Sequence, residues 1–344
     1  LDILKTQAID LVLSDVKMPG MDGIQLLEKI KEITPDIPVI IMTAYGSVEK
    51  AVEAMHKGAY TFILKPFENQ ALIAHIAKAL SVYKIVQENT ALKKAIHSRY
   101  SFDNIIGKSK PMQDIYDLIK KVAPSNASFL IEGESGTGKE LVAKSIHYNS
   151  LRKEGPLIAV NCSAFAETLL ESELFGHVKG AFTGATQDSK GFFKAAENGC
   201  LFLDEISELP YELQGKLLRV LQEKEYARVG ETRQNKADVR IMAATNQKLE
   251  DLVEKGLFRQ DLFFRINVIT IDIPPLRERG DDILLLAKHF IVKYAKQLGK
   301  KEPKLTQNAI AALKNYAWPG NVRELENLIH RNLIMNDTEY MDSA

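Results

Sequence analysis

The run Gly133-Glu134-Ser135-Gly136-Thr137-Gly138-Lys139 places three glycines and a lysine within seven residues. Glycine tolerates backbone conformations closed to other residues, so the amides of such a loop can converge on phosphate oxygens. An apolar strand, Phe129-Leu130-Ile131-Glu132, precedes the loop and a helix follows it, which adds the positive end of a helix dipole. Lys139 is then the cation for the β and γ phosphates of ATP. Glu140 stands where the general phosphate-loop pattern has Ser or Thr, so Mg2+ must rely on phosphates, water and another carboxylate. Asp204-Glu205 closes the apolar Leu201-Phe202-Leu203 and supplies it. Asp204 can hold Mg2+ through water, and Glu205 can polarise an attacking water. As strand-end surface charge alone, the pair would be unremarkable.

Between these two halves lies Gly180-Ala181-Phe182-Thr183-Gly184-Ala185. One bulky apolar side chain sits among residues too small to build a core around it, which predicts a mobile loop presenting Phe182 to something outside the domain. A second set of polar groups appears near the start of the chain. Apolar strands at 11–15, 38–44 and 60–66 carry Asp15, Thr43 and Lys65 at their carboxyl ends. Ligands of parallel sheets bind at those ends, so three different polar groups there predict a site.

The elements that must position these groups follow from periodicity. Helices at about 23–33, 47–57 and 69–79 alternate with the first three strands, which implies a parallel sheet. A polar-rich helix follows at 80–100, where Val82, Ile85, Asn89, Leu92 and Ile96 are spaced 3-4-3-4. That is a short coiled-coil seam, with Asn89 favouring a parallel dimer, or equally a surface helix on its own domain. From residue 105 onward, strands at 129–132, 158–160, 199–204 and 239–244 form a second α/β core. After Pro274-Pro275 the pattern is helical, at 281–298, 306–315 and 321–335, with Asp281, Thr306 and Asn321 as expected caps.

A chain of 344 residues exceeds one ordinary core, so two or three domains are expected. Lys plus Arg and Asp plus Glu are 45 each, so no global basic field marks a nucleic-acid partner. Cys162 and Cys200 form no metal-ligand spacing and no disulfide framework, which reads as a reducing, cytoplasmic protein. No apolar run spans a bilayer and no signal peptide is present. The abrupt opening on Leu1, without an initiator Met, is expected of a fragment of a longer polypeptide.

From residue 105 to the end, the chain resembles the central domain of sigma-54-dependent (NtrC-like) transcription activators, a branch of the AAA+ ATPases. The motifs that carry the likeness are 133–140 (GESGTGKE), 180–185 (GAFTGA), 201–206 (LFLDEI), 258–265 (FRQDLFFR), 273–279 (IPPLRER) and 318–325 (WPGNVREL). Glu140 matches this family's own phosphate loop. The resemblance implies that Arg259 and Arg265 are arginine fingers acting in a neighbouring subunit's site, which demands a ring, expected to be a hexamer. It also implies that Asn246 orients water near the γ phosphate, that Arg323 is a second sensor on the lid, and that Asn161 restrains Glu205. The 180–185 loop is implied to contact sigma-54 RNA polymerase.

The first segment resembles a two-component receiver domain, on the match of Asp15 in Ser14-Asp15-Val16-Lys17-Met18-Pro19-Gly20 to the phosphoacceptor. Thr43 and Lys65 are implied to engage the phosphoryl oxygens, and Tyr45 to move on switching. The match lacks a receiver's first strand, first helix and second strand, and with them the acidic pair that holds magnesium. This fragment is therefore expected to be a poor phosphoacceptor with an incomplete sheet. The fold expected is α/β: a partial flavodoxin-like receiver (1–80), a helical linker (81–104), an AAA+ phosphate-loop subdomain (105–272) and a helical lid (273–344). The partners implied are a sensor histidine kinase, further copies of the chain, and enhancer DNA through a C-terminal domain not in this chain. Two other classes fit fewer residues: a non-catalytic nucleotide-binding scaffold, which leaves Glu205, Arg259 and Arg265 unexplained, and an AAA+ remodeller of another substrate, which leaves 180–185 unexplained.

Overall fold

The computed structural model describes residues 1–44, 48–100, 106–336 and 339–342. The chain divides into two compact units, Leu1–Ser98 and Arg99–Ala344. In the first, β1 (Val12–Asp15), β2 (Val39–Ala44) and β3 (Thr61–Lys65) form a parallel sheet in that order. Val39, Ile40 and Ile41 of the central strand are fully buried, because both of its faces are covered. Leu27, Ile30 and Ala54 cover one face, from the Gly23–Ile33 and Val48–His56 helices. Leu72, Ile76 and Ala79 cover the other. The Gly23–Ile33 helix opens on a reciprocal cap: the Asp22 carboxylate accepts from Ile24 N and Gln25 N, and the Gln25 side chain accepts from Asp22 N. Only glycine fits at 23, since a Cβ there would lie 2.1 Å from the Asp15 carbonyl oxygen.

One expectation changes here. The helix at 69–79 and the linker helix are a single helix, Asn69–Arg99, because no Gly or Pro interrupts the segment and no turn signal occurs near residue 80. Val82, Ile85, Asn89, Leu92 and Ile96 are all exposed along it.

The second unit is built on five parallel strands. These are β4 (Phe129–Glu132), β5 (Leu157–Asn161), β6 (Cys200–Asp204), β9 (Arg240–Thr245) and β10 (Thr270–Asp272), in spatial order β10-β4-β9-β6-β5. A short antiparallel hairpin, β7 (Glu225–Ala227) and β8 (Gln234–Lys236), stands apart from it. At three residues, β10 is too short to announce itself by periodicity. Every residue of β9 is buried, since apolar layers cover both faces of the sheet. One layer holds Ile115, Ile119, Val142 and Ile146, and the other Leu170, Leu174, Leu217 and Leu262.

The lid helices, Asp282–Leu298, Gln307–Asn315 and Asn321–Met335, share a core that includes Leu286, Phe290, Trp318, Leu325 and Ile329. Trp318 is buried, and its indole Nε1 donates to the Leu313 carbonyl at 2.8 Å. Of the three expected caps, Thr306 does accept from Ala309 N at 3.1 Å. Asp281 does not cap its helix and instead pairs with Lys314 at 2.7 Å. Asn321 is the first helical residue after Gly320, and its side chain bonds into the phosphate loop. The neighbouring Asp282 receives Lys108 N at 2.6 Å, Ser109 N at 3.1 Å and Ser109 Oγ at 2.6 Å, so a lid carboxylate satisfies amides at the start of the Lys110–Val122 helix.

The carboxyl end of that helix is satisfied by a buried cation. The Arg240 guanidinium donates to the carbonyls of Ala123 (2.8 Å), Val122 (3.0 Å) and Ala127 (3.1 Å), and lies 4.9 Å from the Phe129 ring centroid. Val122 O also accepts from Ser125 N and Ser125 Oγ, so Arg240→Ala takes the donor from the Ala123 and Ala127 carbonyls and is expected to lower stability by about 2–4 kcal/mol. Arg240→Lys should recover less than half of this, because an ammonium lacks the planar fork. Urea unfolding followed by circular dichroism measures both, and equal stability of the three proteins would contradict this role.

Candidate nucleotide site

The loop after β4 is held from within and from the lid. Gly136 and Gly138 take φ of 78° and 104°, in the left-handed region. A Cβ on Gly136 would lie 2.4 Å from the Gly320 carbonyl oxygen, so the lid backbone approaches a position that only glycine allows. Gly136 O accepts Val322 N at 3.0 Å and Arg323 N at 3.3 Å, which seats Arg323 directly on the loop. Asn321 Nδ2 donates to Ser135 O at 3.1 Å and to Glu134 Oε2 at 3.0 Å. Arg277 adds a two-pronged pair to Glu134, at 2.6 and 3.0 Å. Arg277 first, and then Asn321, hold the Glu134 carboxyl down at about 2. Thr137 is buried, and its hydroxyl donates to Glu134 O at 2.8 Å.

Lys139 is buried, with Nζ donating to Gly133 O at 2.7 Å and Glu134 O at 3.2 Å. Burial pushes its pKa down, and the charges of Asp204 and Glu205 oppose that shift. Glu140 is exposed and pairs with Lys144 at 2.7 Å, so its carboxylate already has a cation. Asp204 and Glu205 leave the carboxyl end of β6, two strands along the sheet from β4. Burial raises the pKa of Asp204 while Lys139 lowers it. Glu205 stands at the turn with φ 53° and ψ 49°, a left-handed conformation uncommon for a side chain of this size. Asn246 follows β9, the strand between β4 and β6, and is exposed.

Three expected residues lie differently from the simplest expectation. Asn161 has no described hydrogen bond with Glu205. Its Oδ1 accepts from Ser163 N at 2.8 Å, and it is Ser163 Oγ that reaches Glu205 Oε2, at 2.5 Å. Arg259 pairs with Asp261 at 2.7 Å, and Arg265 donates to the Leu221 carbonyl at 3.2 Å. Among the described residues neither arginine bonds the phosphate loop, Asp204 or Glu205 of its own chain.

The 180–185 segment is a stack of turns. Gly180 N donates to Ala185 O (2.9 Å), Ala185 N to Phe182 O (3.1 Å) and Thr186 N to Gly184 O (2.8 Å). Gly180 and Gly184 take positive φ, which those reversals require, and Ala185 is buried. Phe182 is 39% exposed, with its ring edge-on to His177 at 5.0 Å between centroids. Ser172 and His177 Nδ1 share a 2.7 Å hydrogen bond that holds the imidazole.

In the first unit, Lys65 Nζ donates to Asp15 Oδ2, and Lys17 N donates to Asp15 Oδ1 at 3.2 Å. The Lys65 ammonium is the leading reason that the Asp15 carboxyl lies below its ordinary range. Thr43 is buried on β2, the strand between them, so Asp15, Thr43 and Lys65 meet at one end of the sheet. Tyr45 lies outside the described residues.

Comparison with known proteins agrees with this architecture. Residues 105–272 match the sigma-54 interaction domain, 277–344 the AAA+ ATPase lid domain and 1–77 the response regulator receiver domain. The regulatory protein AtoC of Escherichia coli (strain K12) is 48% identical over 327 residues, which cover 95% of this chain and 71% of that protein. The chain belongs to the sigma-54-dependent response regulators. The DNA-binding transcriptional regulator NtrC of the same strain is 47% identical over 327 residues, covering 95% of this regulator and 69% of that protein. A crystal structure of NtrX from Brucella abortus in complex with ADP superimposes with a TM-score of 0.72 at 36% identity, over 99% of this chain and 74% of that one. The regulator therefore joins a receiver to an ATP-binding AAA+ domain of the sigma-54-activating class. No helix among the described residues is long and apolar enough to cross a membrane.

Sequence reasoning missed several groups that shape the regulator's site: Arg277, Asn321 as a loop ligand, Ser163 and the acids around Glu132. Arg277 lies in the 273–279 motif that carries the family likeness, and its alternation with Glu278 looks like ordinary surface charge. Glu132 and Asp272 are register partners at the ends of β4 and β10. Burial, then Glu250 and Asp272, push the Glu132 carboxyl up to about 7. An unfolded chain releases this proton near pH 4.5, whereas the folded chain keeps it until about pH 7. Stability from this group is thus complete below pH 4.5 and is lost as pH rises through 7. Glu132→Gln, permanently neutral, should be more stable than the natural chain by about 1–2 kcal/mol at pH 8, after allowance for solvent screening of a half-buried group. The advantage should shrink toward pH 5. Denaturant midpoints at the two pH values measure it, and a gap independent of pH would rule this origin out.

Proposed function

We propose that this regulator hydrolyses ATP in a ring of its own copies and spends the cycle on moving the 180–185 loop against sigma-54 RNA polymerase. One observation carries the reading: Lys139, Asp204 and Glu205 converge where β4 and β6 end, while Arg259 and Arg265 have no described bond to that group in their own chain. Arginines of that placement suit a neighbouring subunit's site, where they would stabilise transition-state charge.

In this reading the loop Gly133, Glu134, Ser135, Gly136, Thr137 and Gly138 wraps the phosphates, and Lys139 neutralises them. The Gly133 amide is held by Thr245 O at 3.3 Å and the Thr137 amide by Glu134 O at 3.4 Å. Lys139 now donates to its own loop's carbonyls, so phosphate oxygens would replace weak internal acceptors. The donor set also fits Mg2+: Asp204 is a half-buried carboxylate opposite Lys139, whereas Glu140 is taken up by Lys144. Mg2+ held by Asp204 would neutralise charge on the β and γ phosphates. Glu205 accepts the proton of the attacking water, Asn246 orients that water, and Arg323 reports the phosphates to the lid on which it rides. Asn161 influences Glu205 through Ser163.

The loop residues Gly180, Ala181, Phe182, Thr183, Gly184 and Ala185 contact sigma-54, with Phe182 as the apolar contact. In a complete receiver, with its acidic pair, Asp15 is the phosphoacceptor for a sensor histidine kinase, with Thr43 and Lys65 engaging the phosphoryl oxygens. We assign residues 1–80 to the receiver, 81–104 to a linker that dimerises through its exposed apolar positions, 105–272 to the catalytic subdomain and 273–344 to the lid. Enhancer DNA is bound by a C-terminal domain outside this chain, and the site of action is the cytoplasm.

Two variants test the division of labour. Glu205→Gln should bind ATP normally and lose about 10²-fold or more in phosphate release, as expected for removal of a general base. Phe182→Ala should keep ATP turnover within about twofold and lose nucleotide-dependent capture of sigma-54, because the ring lies outside the chemistry. Turnover absent from the natural chain at concentrations where rings form would favour a nucleotide-binding scaffold. Loss of turnover and capture together in Phe182→Ala would defeat the separation of roles.

A further inference from the structure

Among the described hydrogen bonds, the Glu205 carboxylate receives one, from Ser163 Oγ to Oε2 at 2.5 Å. The same Ser163 Oγ lies 2.8 Å from Asn161 Oδ1. A hydroxyl carries one proton, so two acceptor oxygens share a single donor. Rotating the Asn161 amide by half a turn does not resolve the conflict. Its Oδ1 also accepts Ser163 N at 2.8 Å, and a flipped amide would set an NH2 group against that backbone donor. The proton has two alternative destinations, and a carboxylate is the stronger acceptor.

Sheet order gives this contact a direction. The strands run β10-β4-β9-β6-β5, and Glu205 leaves the end of β6. The phosphate loop follows β4, on one side of β6. Ser163 belongs to the Cys162–Ala164 turn that follows β5, on the opposite side, where Asn161 and Asp204 are register partners. A Glu205 carboxylate bonded to Ser163 is therefore drawn toward the β5 edge and away from the phosphate loop.

We infer that Ser163 is a positioning residue that tethers Glu205 in an unproductive orientation, and that transfer of its hydroxyl hydrogen bond to Asn161 Oδ1 frees the carboxylate to face water at the phosphates. No covalent bond changes: the proton stays on Ser163 Oγ and the O–H rotates between two acceptors. Asn161 thus acts one step removed, as the alternative acceptor that lets Ser163 release its hold. The left-handed backbone at Glu205 places the side chain at a turn where a single contact can set its direction. The inference rests on the reading of Glu205 as the base.

The test uses the full chain at ring-forming concentration. Ser163→Ala should raise kcat for ATP about three- to tenfold, the size expected when a solvent-exposed, charge-assisted hydrogen bond of the resting state is removed. KM for ATP, and the equilibrium Kd for a non-hydrolysable ATP analogue measured by calorimetry, should stay within about twofold, since the tether touches neither loop nor lid. Ser163→Thr, which keeps the hydroxyl, should restore the natural kcat. A merely structural serine would lower activity or analogue affinity and would gain nothing from threonine. If Glu205→Gln abolishes turnover while Ser163→Ala leaves kcat unchanged or lowered, the tether is overturned and the base assignment stands. If Glu205→Gln retains turnover, both fall.

Discussion

Two backbone amides of the lid, Val322 and Arg323, donate to the carbonyl of Gly136 in the phosphate loop, and the arrangement of the AAA+ unit depends on this seam. It requires a position without a Cβ, because Gly320 crowds it. It also requires the chain before the last helix to turn sharply: Trp318 and Asn321 take φ of 51° and 52°. Such conformations cost about 1 kcal/mol or more each for residues other than glycine. Burial of the Trp318 indole and the hydrogen bonds of the Asn321 side chain to Glu134, Ser135 and Leu276 offset that cost. Loop and lid are thus joined through main chain as well as side chains, so a shift in one is transmitted to the other without a flexible intermediary.

The electrostatics around this seam keep the lysine available for phosphate. Glu132 and Glu134 flank Gly133 and shift in opposite directions, to about 7 and about 2. One sits half-buried among other acids, and the other meets Arg277 and Asn321. Both present less negative charge to an incoming triphosphate near neutral pH than free carboxylates would: Glu132 is only partly ionised there, and Glu134 is matched by a guanidinium. Asp204 and Glu205 remain as the acids that act on Lys139. The thiol of Cys162 lies close enough to feel both carboxylates, and burial with those charges pushes it up to about 12, so it stays a protonated packing group.

A short stretch of chain links this chemistry to the 180–185 loop. The turn carrying Ser163 leads into the Glu167–Phe175 helix, and that helix carries Ser172. Ser172 holds the His177 ring, and Phe182 rests edge-on against it. Such a ring contact is worth roughly 0.5–1.5 kcal/mol, enough to favour one resting position and weak enough to be exchanged for another surface. The segment is small-residue rich for a reason different from the one its composition suggests. Glycines at 180 and 184 serve backbone reversals, and the alanine at 185 is buried beneath them.

Much of this regulator was legible along the chain. Strand–loop–helix order, the placement of Asp15 and Asp204 at strand ends and of Lys139 at a helix start, and the helical lid all follow from local periodicity and from residues that act within a few positions of one another. The single helix through residue 80 shows the limit of reading a change in composition as a change in structure. Asp281 and Asn321 show another: capping residues have a local alternative, and tertiary partners overrode it. Which side chains meet across long separations was decided only by the folded sheet. The pairs Arg277 with Glu134, Arg240 with the end of the Lys110–Val122 helix, and Ser163 with Glu205 join residues 143, 113–118 and 42 positions apart. No periodicity encodes such distances. They arise because the strands lie side by side in an order, β10-β4-β9-β6-β5, that differs from the order of the chain. The first and third pairs meet at the carboxyl ends of the strands, and Arg240 meets its carbonyls at the amino end of β9.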